Sequence, residues 1–161
     1  MNAAVRYPLP DVAAVRELLG MLFDGITVKQ GAKLDASPKA KPYFGYYVAD
    51  DDSPAGLVGC DLAFAANSGA ALSMLPPNVA KEVLKSKELT DVMLANLREV
   101  MNICTRLLLK ENTPHVRLVQ LAEAGELPPA AAAILTGARG RVDFEVGLGK
   151  YGAGVLAVLA M

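Results

Sequence analysis

Thr90 to Lys110, TDVMLANLREVMNICTRLLLK, restricts the fold more than any other stretch of the chain. Set out at about 100° per residue, Met93, Leu97, Val100, Met101, Cys104, Leu107 and Leu108 form one continuous apolar stripe. A stripe of this width has to be buried, so the stretch is expected to be a long core helix. Its opposite side, centred on Ala95, Glu99, Asn102 and Arg106, is a polar ridge whose members stand three or four residues apart and are surface neighbours. Glu99 and Asn102 are therefore expected side by side, facing solvent. On most amphipathic helices such a ridge is simply solvated.

The rest of the chain supplies a sheet for this helix to cover. Asp11 can cap an N-terminal helix with an apolar stripe of Val12, Val15, Leu18, Leu19 and Leu22, closed by Asp24-Gly25. Ile26 to Lys29 is expected to be a short strand, and the lysine-bearing segment from Gln30 to Lys41 a loop. Tyr43 to Ala49 and Leu57 to Phe64 are rich in aromatic and β-branched residues, and DDDSPAG joins them as a hairpin. Asn67 or Ser68 is placed to cap a short helix ending before Pro76-Pro77, and Pro77 to open a second one through Ser86. After the long helix, Val116 to Leu121 alternates as a strand, and Pro129 to Leu135 is expected to give one or two helical turns. Arg141 to Leu148 alternates again, with Val142, Phe144, Val146 and Leu148 on one face and Asp143 and Glu145 on the other. The last strand, GVLAVLAM, is apolar on both faces, so it is either central in the sheet or covered by a partner. The expected fold class is α+β, one domain over residues 1–161, with the long central helix and the N-terminal helix on one face of an antiparallel sheet.

Composition narrows the functional classes. With 161 residues, 53% hydrophobic, 20% charged and a net charge of −1, the chain can bury a real core and has no basic excess for a phosphate backbone. Nucleic acid is not an expected partner. Cys60 and Cys104 each lie within apolar patterns and read as core thiols in a reducing compartment. No charged and apolar leader pattern opens the sequence, and the apolar run from Ala153 to Met161 is too short for a bilayer, so no membrane partner and a cytoplasmic location are expected.

Three short motifs point away from chemistry. Gly147-Leu-Gly149-Lys-Tyr-Gly152 matches G-x-G-x-x-G, but an apolar strand follows where a dinucleotide site needs a helix. His115 is the only histidine, so it has no imidazole partner for a metal and reads as a residue at a helix exit. Asp50-Asp51-Asp52 lacks the later ligands of a calcium loop.

The Glu99-Val-Met-Asn102 ridge remains. Together with Leu18-Leu19-Gly20, Asp24-Gly25-Ile26, the glycine-marked Ala55-Gly56-Leu57-Val58-Gly59, His115-Val116 and the last hairpin, it resembles the CheC/CheX/FliY family of chemotaxis phosphatases over nearly the full length. The single-site CheX type is the most similar. The resemblance implies that Asn102 places a water against the aspartyl phosphate of a receiver domain while Glu99 anchors the docked receiver. It also implies a homodimer, a phosphorylated receiver-domain protein as partner, and no cofactor of the chain's own, Mg²⁺ being brought by the receiver. A carboxamide suits this task because it both donates to and accepts from a water without depending on pH.

The docking surface departs from the family pattern. Ala95 stands where Asp or Ser is usual, Arg98 and Arg106 stand where small residues let a receiver approach, and Gln120 lies near the place of a family proline. As i−4 and i+4 neighbours of Asn102 on a helix, the two arginines would form an anion-attracting patch. Two functions of different class follow: an aspartyl-phosphate phosphatase, or a catalytically inactive, dimeric protein-interaction domain built on the same fold.

Overall fold

The alternating runs of the sequence pair into a six-stranded antiparallel sheet in the computed structural model, which describes residues 6–31 and 33–161. Ala32, inside the segment read as a loop, lies outside the described residues. The strands are β1 (Ile26–Gln30), β2 (Tyr43–Ala49), β3 (Pro54–Cys60), β4 (Val116–Glu123), β5 (Gly140–Leu148) and β6 (Ala153–Ala160), in the order β1-β5-β6-β3-β2-β4. The helices are α1 (Val12–Gly20), α2 (Leu62–Leu72), α3 (Pro77–Ser86), α4 (Asp91–Ile103) and α5 (Pro129–Gly137). The α+β class, the antiparallel sheet and the packing of α1 and α4 on one face agree with the sequence expectation.

Strand alternation divides the core in two. On one face Tyr47, Val58, Phe144, Val146, Leu156 and Val158 meet α1, α2 and α4. On the other, Phe44, Tyr46, Leu57, Ala157 and Leu159 meet Ala131 and Ile134 of α5 and Leu34 of the β1–β2 connection. That connection is held down by Asp143, whose carboxylate accepts the Leu34 N–H at 2.7 Å and pairs with Arg141 at 2.9 Å. Burial pushes the Asp143 carboxyl up, but the hydrogen bonds from Arg141 and the Leu34 N–H outweigh it and leave the pKa lowered.

β6 lies between β5 and β3 and is covered on both faces by this chain's own elements. Its apolar faces therefore need no partner subunit, which removes the physical reason the sequence offered for self-association. The open edges of the sheet are β1 and β4. Among the described residues no helix is long and apolar enough to cross a membrane.

Four boundaries differ from the sequence expectation. The run Leu57 to Phe64 is not one strand: β3 stops at Cys60 and Asp61 opens α2, its carboxylate accepting from the N–H of Phe64 at 2.8 Å and of Val155 at 3.0 Å. Asn67 and Ser68, expected as caps, are buried inside that helix instead. α1 ends at Gly20 and turns at Met21, before Asp24-Gly25, because the N–H of Met21 bonds to carbonyls of the last turn. The long helix does not run to Lys110 as one α-helix. It changes at Cys104 into a 3₁₀ segment, Cys104–Leu108. The G-x-G-x-x-G run is the β5–β6 connection, with a short 3₁₀ turn at Gly149–Tyr151 leading into β6.

Candidate functional site

α4 is fixed from below before anything is presented above. Thr90 caps it, accepting the Met93 N–H at 3.2 Å, and Asp91 in the first turn suits the positive end of the helix dipole. Met93, Leu97, Val100 and Met101 are fully buried, as the stripe predicts. At the other end the buried hydroxyl of Tyr47 on β2 donates to the Met101 carbonyl, one of the acceptors that a helix C-terminus leaves without an intrahelical partner. Burial holds the Tyr47 phenol well above its ordinary pKa, so it remains a donor at any working pH.

Asn96 gives a third anchor. Its side-chain amide donates to the Gly69 carbonyl at 2.8 Å and to the Ser73 hydroxyl at 2.7 Å, tying α4 to α2. Sequence reasoning passed over this residue. The available signal was its place at the edge of the apolar stripe, where a polar side chain can reach a neighbouring helix.

On this fixed base Glu99 and Asn102 are both exposed. They belong to the same α-helical span, about 4.5 Å apart along the axis and about 60° apart around it, which makes them surface neighbours. Neither spends its side chain on a hydrogen bond to another described residue. Ala95 and Arg98 are exposed on the same helix. Arg106 is exposed as well, but it belongs to the 3₁₀ segment. At about 120° per residue that segment turns it roughly 40° further round than an α-helix would. Arg106 consequently leaves the i+4 position beside Asn102 and lines a groove against α1. Gln120 lies in the edge strand β4, paired with Tyr46 next to a bulge.

The other reactive groups do not join this ridge. Cys60 and Cys104 are fully buried, and burial pushes the Cys104 thiol up to about 12, far from a working nucleophile. His115 is not at a helix exit but just before β4, where its Nδ1 stands 3.2 Å from the Asp50 carboxylate. Among the described residues no three His, Cys, Asp or Glu side chains gather into a metal-binding group.

A sheet of this order with its long helix on one face is the CheC-like α+β architecture. It is shared with a chain of the FliM-SpeE complex from H. pylori, at a TM-score of 0.64 and 10% identity over 92% of this chain and 80% of that one. The FliM middle domain from H. pylori is similar at a TM-score of 0.55 and 11% identity over 89% of this chain and 80% of that one. FliY from Thermotoga maritima is similar at 0.56 and 10%, over 90% and 81%. No family model and no curated protein matches the sequence. At these identities the likeness is one of fold.

Proposed function

We propose that the chain is a protein-docking module whose working surface is the exposed ridge of α4, and that the partner it receives is a phosphorylated receiver domain. The observation that carries this reading is the exposed pair Glu99 and Asn102 on a helix anchored at both ends and along its buried side. Glu99 anchors the receiver, and Asn102 holds a water in line with the aspartyl phosphate. The receiver brings Mg²⁺ and its own charge stabilisation, so positioning is the contribution required of this chain. Arg98, one turn before Asn102, meets the acidic surround of the phosphorylated aspartate.

The test is phosphate release from a panel of receiver domains phosphorylated with a small acyl-phosphate donor, with and without this chain. Acceleration that disappears in Asn102→Ala and in Glu99→Ala supports the reading. Unchanged release together with no binding of any receiver overturns it.

A second reading, a docking domain without catalysis, is favoured by Arg98, whose long side chain stands where close approach is needed, and by the crystallisation of one structural neighbour as a FliM-SpeE complex. Receiver binding without hydrolysis, with hydrolysis gained in Arg98→Gly, would select this reading. Self-association and a cytoplasmic location accompany both readings as proposals. The β1 and β4 edges are the surfaces open to a second copy, and sedimentation velocity tests that point.

A further inference from the structure

The exposed side of α1 and the 3₁₀ segment after α4 enclose a groove of about 320 Å³ that neither docking reading uses. Asp11, Ala14, Leu18 and Met21 line it at a spacing of three to four residues, so the groove follows α1 for about 15 Å, close to three helical turns. Ala14 leaves the middle of this wall low. Met21 is 62% exposed at one end and Leu9 is 37% exposed, although both are apolar.

The two walls differ in charge. The α1 wall carries Glu17 and Asp11, and the opposite wall carries Arg106 and Lys110. Asp11 is partly engaged as the α1 cap, whereas Glu17, Arg106 and Lys110 have no ion-pair partner among the described residues. An apolar floor between an acidic and a basic rim selects an occupant whose opposite charges are segregated onto its two edges, as well as one with an apolar face.

We infer that this groove is a docking site for a short amphipathic helix of a partner protein, with basic residues along the edge facing α1 and acidic residues along the edge facing Arg106 and Lys110. Apolar residues at i, i+3 or i+4, and i+7 of that helix rest on Leu18, Met21 and Leu109. A helix fits better than an extended strand, because α1 offers the helical spacing and a small residue at the point of closest approach and has no unpaired sheet edge. The site is separate from Glu99 and Asn102 and does not depend on their role.

The experiment uses the full chain, isotope-labelled, titrated with two peptides of about 15 residues held helical by a side-chain crosslink. Both present the same leucine stripe; one carries Lys along one edge and Glu along the other, and the other carries the same residues with Lys and Glu alternating along each edge. The expected result is amide shifts confined to α1 and residues 104–110, with the peptide of segregated edges binding roughly tenfold more tightly, as about three rim charge pairs allow. The double variant Arg106→Glu, Lys110→Glu, which makes both rims acidic, should abolish the preference. Ala14→Phe should abolish binding of both peptides, and Glu99→Ala with Asn102→Ala should leave it unchanged. Equal binding of the two peptides, shifts centred elsewhere, or no saturable binding of either would overturn the inference. So would a dimer that the double variant dissociates, because a second copy would then be the occupant.

Discussion

α2 and α4 pack against each other but are used in opposite ways. α2 is buried almost throughout, from Phe64 to Ala70, including the polar Asn67 and Ser68. α4 buries only its stripe and keeps Ala95, Arg98, Glu99 and Asn102 in solvent. α2 packs against both the sheet and α4, closely enough that a Cβ on Gly154 of β6 would stand 2.4 Å from the Phe64 nitrogen and one on Gly69 would stand 2.9 Å from the Met93 Cβ. The difference shows how the ridge is held still: a fully enclosed helix serves, together with the sheet, as the bed, and the half-enclosed helix resting on both presents the side chains.

The largest effect is expected from pushing the bed off the sheet. Gly154→Val places side-chain atoms against the backbone of α2, which cannot withdraw without shifting the whole helix, and should cost about 3 kcal/mol or more. Gly69→Ala meets the flexible Met93 side chain as well as its Cα and should cost less, about 1–2 kcal/mol. Urea denaturation checks both. A loss below about 0.5 kcal/mol for Gly154→Val would mean that α2 does not sit as close to β6 as described.

The same contrast explains what could be read from the sequence. α4 has two sides of different polarity, so its period was visible, and every residue assigned to its stripe is buried. α2 has no polar side, so LVGCDLAF looked like one strand and Asp61 did not stand out as a cap. Its carboxylate caps α2 through the local Phe64 N–H, and the second N–H it accepts comes from Val155, 94 residues away, a contact that the sequence does not display. The change from α to 3₁₀ at Cys104 was hidden for a related reason. Leu107 and Leu108 suit either geometry, and the Tyr47 hydroxyl that takes the Met101 carbonyl is supplied from 54 residues away. Of the site, the pair Glu99 and Asn102 was legible because both lie within α4 proper. The position of Arg106 was not, because it depends on that change of helix type.

A smaller effect is expected on the opposite face of the sheet, where no helix of the α2 kind seals the core. Asp143→Asn weakens the pairing with Arg141 and the grip on Leu34, and should cost about 2 kcal/mol. It also has a pH signature. The Asp143 pKa is lowered in the folded protein, so the stability it contributes is present above about pH 4, the ordinary carboxylate range, and is lost as the pH falls through the lowered value. Asp61 acts with the opposite sign, because burial raises its pKa, so its protonation offsets part of the loss at low pH. Denaturation midpoints of the parent and Asp143→Asn should therefore converge on acidification below about pH 4. A constant gap down to pH 2 would remove the carboxylate from this role.

Between bed and ridge the link is Asn96. Asn96→Ala gives up two hydrogen bonds to α2, one of them to a backbone carbonyl that is then left short of a partner, and should cost about 1 kcal/mol. Its informative readout is order in α4. Amide exchange from Met93 to Asn102 should quicken while exchange in α2 is unchanged, since α2 keeps its burial without this link. Faster exchange in both helices together would show that they open as one unit and would dissolve the distinction between bed and ridge.

The smallest effect on stability is expected from the ridge itself. Glu99 and Asn102 are exposed and make no side-chain hydrogen bond to another described residue, so Glu99→Ala and Asn102→Ala should each change stability by no more than about 0.5 kcal/mol. Alanine has the higher helix propensity, so Asn102→Ala should fall on the stabilising side of that range. A pair that can be removed without loss to the fold has no structural reason to be present, and the effect of its removal should appear in receiver binding and phosphate release. The two residues should also separate from each other: Glu99→Ala weakens docking, while Asn102→Ala leaves docking and slows hydrolysis. Measuring stability, receiver affinity and phosphate release on the same two variants decides among the alternatives. A large stability loss in either would mean that the ridge is structural after all, and α4 would then differ from α2 only in how much of it is covered.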